Sequence, residues 1–70
     1  MNKELYLNKS IYNENIIRQG IRDYNSIAQF KFDEKTEYYI VSVISSCFDF
    51  EITFKEFENY LIGLLKKNGN

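Results

Sequence analysis

Cys47, Asp49 and Glu51 alternate along one short stretch, with Glu56 and Glu58 close behind. A thiol and four carboxylates are therefore gathered where a nucleophile and an acid–base pair would be sought. The surrounding chemistry does not support either. The chain contains no histidine, so there is no imidazole base, no Ser-His or Cys-His arrangement and no His-ligated metal. Cys47 is the single cysteine, which excludes an internal disulfide and a thiolate zinc cluster within one chain. No cation lies within several residues to favour its thiolate, and a small structural residue is the better reading. Glu56 and Glu58 point to different faces of a helix, and Asp49 and Glu51 fall in a connection, so both pairs read as solvated or capping groups. Nothing from Asp49 to Glu56 matches the alternating oxygen ligands and central glycine of a calcium loop. Gly20, Gly63 and Gly69 are too scattered to cradle a phosphate. No catalytic residue, cofactor site or metal site is expected.

The aromatic content raises a different possibility. Six Tyr and six Phe could stack nucleic-acid bases on a sheet, but that mode needs a basic surface around the rings, and only Lys31 and Lys35 are near. Nine basic and ten acidic residues give a net charge of −1 with the two signs interleaved, so no footprint for nucleic acid or acidic lipid stands out. Lys66-Lys67, the one adjacent basic pair, falls where cations favour a helix C-terminus. The apolar run from Tyr38 to Ile44 is broken by Ser42 and too short for a bilayer, and no secretory h-region is visible. A lone cysteine and these absences lead to the expectation of a reduced, cytoplasmic location.

Five elements can be read along the chain. Glu4 to Asn8 alternates polar and apolar residues, with Leu5 and Leu7 on one face of a short strand. Asn13 precedes Ile16, Ile17, Ile21 and Tyr24 at helical spacing, which predicts a helix from Glu14 to about Tyr24 with Asn13 as its cap. Gly20 costs that helix about 1 kcal/mol relative to Ala, a cost that implies close packing on its face. Asn25-Ser26 is expected to end the helix through a left-handed Asn. From Ile27 to Phe32 the period becomes two, with Ala28, Phe30 and Phe32 on the buried side. Asp33 to Thr36 is a hairpin connection to a third strand, Glu37 to about Ser45. That strand is apolar on both faces and so belongs in the middle of a sheet, with Tyr39, Val41 and Val43 inward.

The last third carries the strongest local signal. Thr53 and Glu56 have capping-box spacing, and Ile52 and Phe57 the spacing of a hydrophobic staple, predicting a helix from Phe54 to about Lys67. Phe54, Phe57, Leu61, Leu64 and Leu65 would form its buried stripe, Phe48 and Phe50 would tuck against the core edge, and Gly69 would mark the stop. The expected architecture is a single small α+β domain spanning residues 1–70, ordered β-α-β-β-α. Its three-stranded sheet carries two helices packed on one face.

A domain of 70 residues has one small core and is marginal in size for folding alone. A two-sided apolar strand in such a domain suggests a partner surface, or an edge that accepts an added strand. Tyr38, Ile40 and Ile44 are the expected contacts, with Tyr6 and Tyr60 as further ones. Homodimerisation through the same face is the alternative. Several runs resemble the HxsD-like small proteins of His-Xaa-Ser peptide systems. They are Leu7-Asn8-Lys9-Ser10-Ile11-Tyr12, the helix end Asp23-Tyr24, Ile27-Ala28-Gln29-Phe30, Glu37-Tyr38-Tyr39-Ile40-Val41 and the helix Phe54 to Leu65. The likeness spans about Leu5 to Leu65. Members of that family usually continue beyond the second helix, and Gln19-Gly20-Ile21 replaces an Ala-rich helix centre. The resemblance implies an accessory role beside a radical S-adenosylmethionine enzyme that modifies ribosomally made peptides, with the precursor peptide or the enzyme as partner. It offers no catalytic residue.

Overall fold

A computed structural model describes residues 4–68. The elements run β1 (Glu4–Asn8), α1 (Glu14–Asp23), β2 (Ala28–Glu34), β3 (Tyr38–Ser46) and α2 (Phe50–Asn68), so the expected β-α-β-β-α order is the observed one. The strand order is β1-β3-β2, with β3 antiparallel to both neighbours. β1 and β2 are therefore parallel to each other with β3 inserted between them, and α1 makes the crossover that joins them. The central place of β3 follows from its composition, since only the middle strand is flanked on both sides.

The inner face of the sheet is built from period-two alternation. Leu5 and Leu7 of β1 lie opposite Val41 and Tyr39 of β3, and Phe32 of β2 lies opposite Val41 from the other side. These residues join Ile16 and Ile17 of α1 and Phe57, Leu61 and Leu64 of α2 in one core. Both helices thus lie on the same side of the sheet. A β-bulge between Gln29 and Phe30 pairs Phe30 with Val43 and Gln29 with Ser45, leaving Ile44 as the extra residue on β3. The bulge shifts the alternation, so Val43 is buried and Ser46, three residues later, still reaches the helical layer.

α1 begins as its sequence dictates. The Asn13 side chain accepts from the Ile16 amide at 2.9 Å, and Glu14 in the first turn pairs with Arg18 at 2.6 Å. Its end differs from expectation. Tyr24 closes the helix at φ −96° and ψ 4°, and among the described residues no non-glycine residue has positive φ. A run of ordinary turns does the work of a left-handed Asn: Asn25 N–H donates to Arg22 O, and Ile27 and Ala28 N–H both donate to Tyr24 O.

The start of α2 is a correction. The helix begins four residues before the predicted Phe54, at Phe50, and Asp49 is its cap. The Asp49 carboxylate accepts from the amides of Glu51 at 2.8 Å and Ile52 at 3.2 Å. Thr53 lies inside the helix, buried, with its Oγ1 2.6 Å from Ser46 Oγ, and is not a cap. Ile52 is exposed while Phe57 is in the core, so no staple joins them. Residues five apart on a helix sit about 140° apart around its axis, which separates the two once both are helical. Phe48, expected at the core edge, is exposed as well. The stripe Phe54, Phe57, Leu61, Leu64 and Leu65 packs on the core as predicted. The predicted stop at Gly69 lies outside the described residues.

Gly20 explains its own presence. A Cβ there would stand 2.7 Å from Leu61 Cδ2 and 3.3 Å from Phe57 Cε1, so α1 and α2 meet at a point where only glycine fits without displacement. The same seam carries an aromatic cluster. Phe30 stacks on Phe57 at 4.4 Å between centroids, and Tyr24 lies edge-on to Phe57 at 5.5 Å and tilted on Tyr60 at 5.3 Å.

Candidate functional site

With both helices on one side, the other side of the sheet has no covering layer among the described residues. The Cα atoms span 32 × 26 × 16 Å, and the shortest extent is that of one helical layer on one sheet. The register defines what this outer face carries. Glu4, Ser42 and Lys31 form one row across the three strands, and Tyr6, Ile40 and Asp33 form the next. Asn8 and Tyr38 lie opposite each other in a third. Ile44 stands beyond the first row, at the bulge.

Four of the five sequence-predicted contacts meet on this face. Tyr6 is 58% exposed, Tyr38 41% and Ile44 50%. Ile40 is a correction: it lies on the outer side but is only 8% exposed. Its position in the central strand places Tyr6 directly opposite on one flank and Asp33 on the other. Side chains this close across strands shield one another. The face is thus a shielded aliphatic centre with two exposed tyrosines beside it, and the Tyr6 and Tyr38 rings meet edge-on at 6.2 Å. Tyr6 donates its hydroxyl to Glu4 Oε1 at 3.0 Å, and that bond raises the Tyr6 pKa above its usual 10.0.

Tyr60, the fifth residue, is elsewhere. It belongs to the seam between α1 and α2, half-buried against Tyr24, and donates its hydroxyl to the Asp23 carboxylate. It cannot share a contact surface with Tyr6 and Tyr38, because the thickness of the domain lies between them. Sequence reading missed the charged members of the outer face, Glu4, Lys31 and Asp33. Their alternation was visible, but the register in which β1 and β2 pair with β3 was not.

The groups considered for catalysis are dispersed. Asp49 is committed to capping α2, and Cys47 is exposed with its amide donating to Ile27 O at 2.9 Å. Among the described residues no three His, Cys, Asp or Glu side chains converge as a metal cage, and no helix is long and apolar enough to cross a membrane. A shallow apolar cleft opens at the start of α2, lined by Tyr24, Ile27, Phe48, Ile52, Thr53 and Glu56. It lies at the edge of the helical layer, away from the outer face. Comparison of the chain with family models, with curated proteins and with solved structures gives no match.

Proposed function

We propose that this protein is a non-enzymatic binding module that docks another polypeptide on the outer face of its sheet. One observation carries the reading: Tyr6, Tyr38 and Ile44 stand in solvent around Ile40 on the side that neither helix covers. Tyrosine suits such a face, since its ring gives up water readily and its hydroxyl stays paired in either state. The edge strands β1 and β2 each pair with β3 on one side only, so an extended peptide can also add to the sheet by main-chain hydrogen bonds. The resemblance to HxsD-like proteins makes a precursor peptide or a radical S-adenosylmethionine maturation enzyme the partner to try first. An exposed, unpaired Cys47 fits a reducing, cytoplasmic setting.

The test is a binding titration of the purified chain against the product of each gene flanking its own. One of those products is expected to bind, and Tyr38→Asp, at an exposed position, is expected to weaken that binding at least about tenfold with an unchanged circular-dichroism spectrum. Absence of binding to any flanking product, or equal binding by the folded variant, would overturn the reading.

A further inference from the structure

The outer face has a charge pattern that bears on what covers it. In the row through Ser42, Glu4 occupies the β1 edge and Lys31 the β2 edge. In the row through Ile40, Tyr6 occupies the β1 edge and Asp33 the β2 edge. The Ser42 row therefore pairs a carboxylate on one edge with an ammonium on the other; in the Ile40 row Asp33 is the charged group, the Tyr6 hydroxyl being bound to Glu4. The row centres are Ser42 and Ile40, neither of them charged.

Resting on the reading of this face as a docking surface, we infer that its occupant is a second copy of the chain, related by a twofold axis running along β3. Such an axis exchanges the two edges and keeps the rows. Glu4 then faces the second copy's Lys31, Tyr6 lies opposite its Asp33, and the exposed Tyr6 and Tyr38 rings meet the second copy around the shielded Ile40. Every contact occurs twice, as an isologous interface requires. A twofold perpendicular to the strands through the Ile40 row would set Asp33 against Asp33, and like charges directly opposed are destabilising. One midway between the two rows would set Lys31 against the second copy's Asp33 and Glu4 against its Tyr6; only the axis along β3 pairs Glu4 with Lys31, so a response to Glu4→Lys distinguishes the two. Two sheets packed face to face lie about 10 Å apart, which leaves room for Tyr6 and Tyr38 to interdigitate. The β1 and β2 edges stay open in the pair, so strand addition by a peptide is compatible with it.

Three strands spaced about 4.8 Å apart offer a narrow footprint, at the small end of specific interfaces, so the dimer is expected to be reversible. Sedimentation of the full chain over a wide concentration range tests it. The expected result is a concentration-dependent dimer that weakens as salt rises. Glu4→Lys and Lys31→Glu should each weaken self-association about tenfold, because each turns two attractive pairs into two repulsive ones. Mixed in equal amounts, the two variants should associate again as a heterodimer, since one carries lysine and the other glutamate at both positions. Recovery on mixing also excludes misfolding as the cause of the individual losses. A wild-type monomer at every concentration, a dimer indifferent to both substitutions, or a mixture that stays monomeric overturns the inference. Any of these results leaves the broader reading standing if a flanking gene product still binds in a Tyr38-dependent way.

Discussion

Tyrosine hydroxyls anchor this molecule at several points, and each anchor has a titration consequence. Tyr60 donates to Asp23, and that hydrogen bond, more than burial or the nearby charge, raises its pKa above the usual 10.0. Tyr24 donates to the Glu56 carbonyl oxygen at 3.3 Å, and its pKa is raised chiefly by burial and secondarily by the Glu56 carboxylate. The folded chain holds these protons more tightly than the unfolded chain does. Their contribution is complete below the unfolded phenol value and is lost as pH rises through the higher folded values. Urea unfolding midpoints should therefore hold steady up to about pH 9 and fall beyond about pH 10. Tyr60→Phe and Tyr24→Phe should each make that fall shallower. Midpoints that fall equally in wild type and both variants would show that the phenols are not the cause. The sequence marked Tyr60 as a residue of interest without revealing its bond to Asp23, because a hydroxyl on a helix can turn to solvent, to a partner protein or to the neighbouring helix. Only the position of α1 decides among these.

Among the elements, α2 best separates local from tertiary information. Its buried stripe follows from 3.6-residue spacing and was legible, whereas its start was contested by two caps four residues apart. Thr53 with Glu56 and Asp49 with Glu51 and Ile52 are both adequate by local rules. The earlier cap prevails where the Thr53 hydroxyl finds a buried partner in Ser46, brought inward by the bulge in β3. An added turn of helix is then compatible with a satisfied hydroxyl. Asp49→Ala is expected to lower unfolding free energy by about 1 kcal/mol. Glu56→Ala, which would cost a similar amount if Thr53 were the cap, should change it by less than about 0.5 kcal/mol. Chemical denaturation of the two variants decides between the caps, and a larger loss at Glu56 would restore the Thr53 reading.

At the scale of the whole molecule, stability depends on how closely the two helices approach over a sheet that they cover on one side only. Gly20 and Gly63 are both helical, yet only Gly20 sits in the seam; a Cβ at Gly63 would meet nothing within 4 Å. Gly63→Ala should therefore gain about 1 kcal/mol from helix propensity alone. At Gly20 the same gain is opposed by overpacking of about 1–3 kcal/mol against Leu61 and Phe57, which have almost no exposed surface and little room to move. Gly20→Ala should accordingly be neutral to destabilising. Thermal or urea unfolding showing equal gains at both positions would mean the seam is looser than its geometry.

The sequence by itself determined the element order, the inward residues of each strand, the α1 cap, the buried stripe of α2 and the need for close packing at Gly20. All of these rest on local periodicity or on backbone groups that must be satisfied within a few residues. Tertiary structure alone decided the register in which β1 and β2 pair with β3, that Ile40 is shielded while Tyr6, Tyr38 and Ile44 are not, and that Tyr60 turns into the helical seam. It also placed Glu4 and Lys31 at opposite ends of one row. These features depend on which distant segments lie side by side, and an alternating pattern specifies the face a residue takes without specifying its neighbours across the sheet.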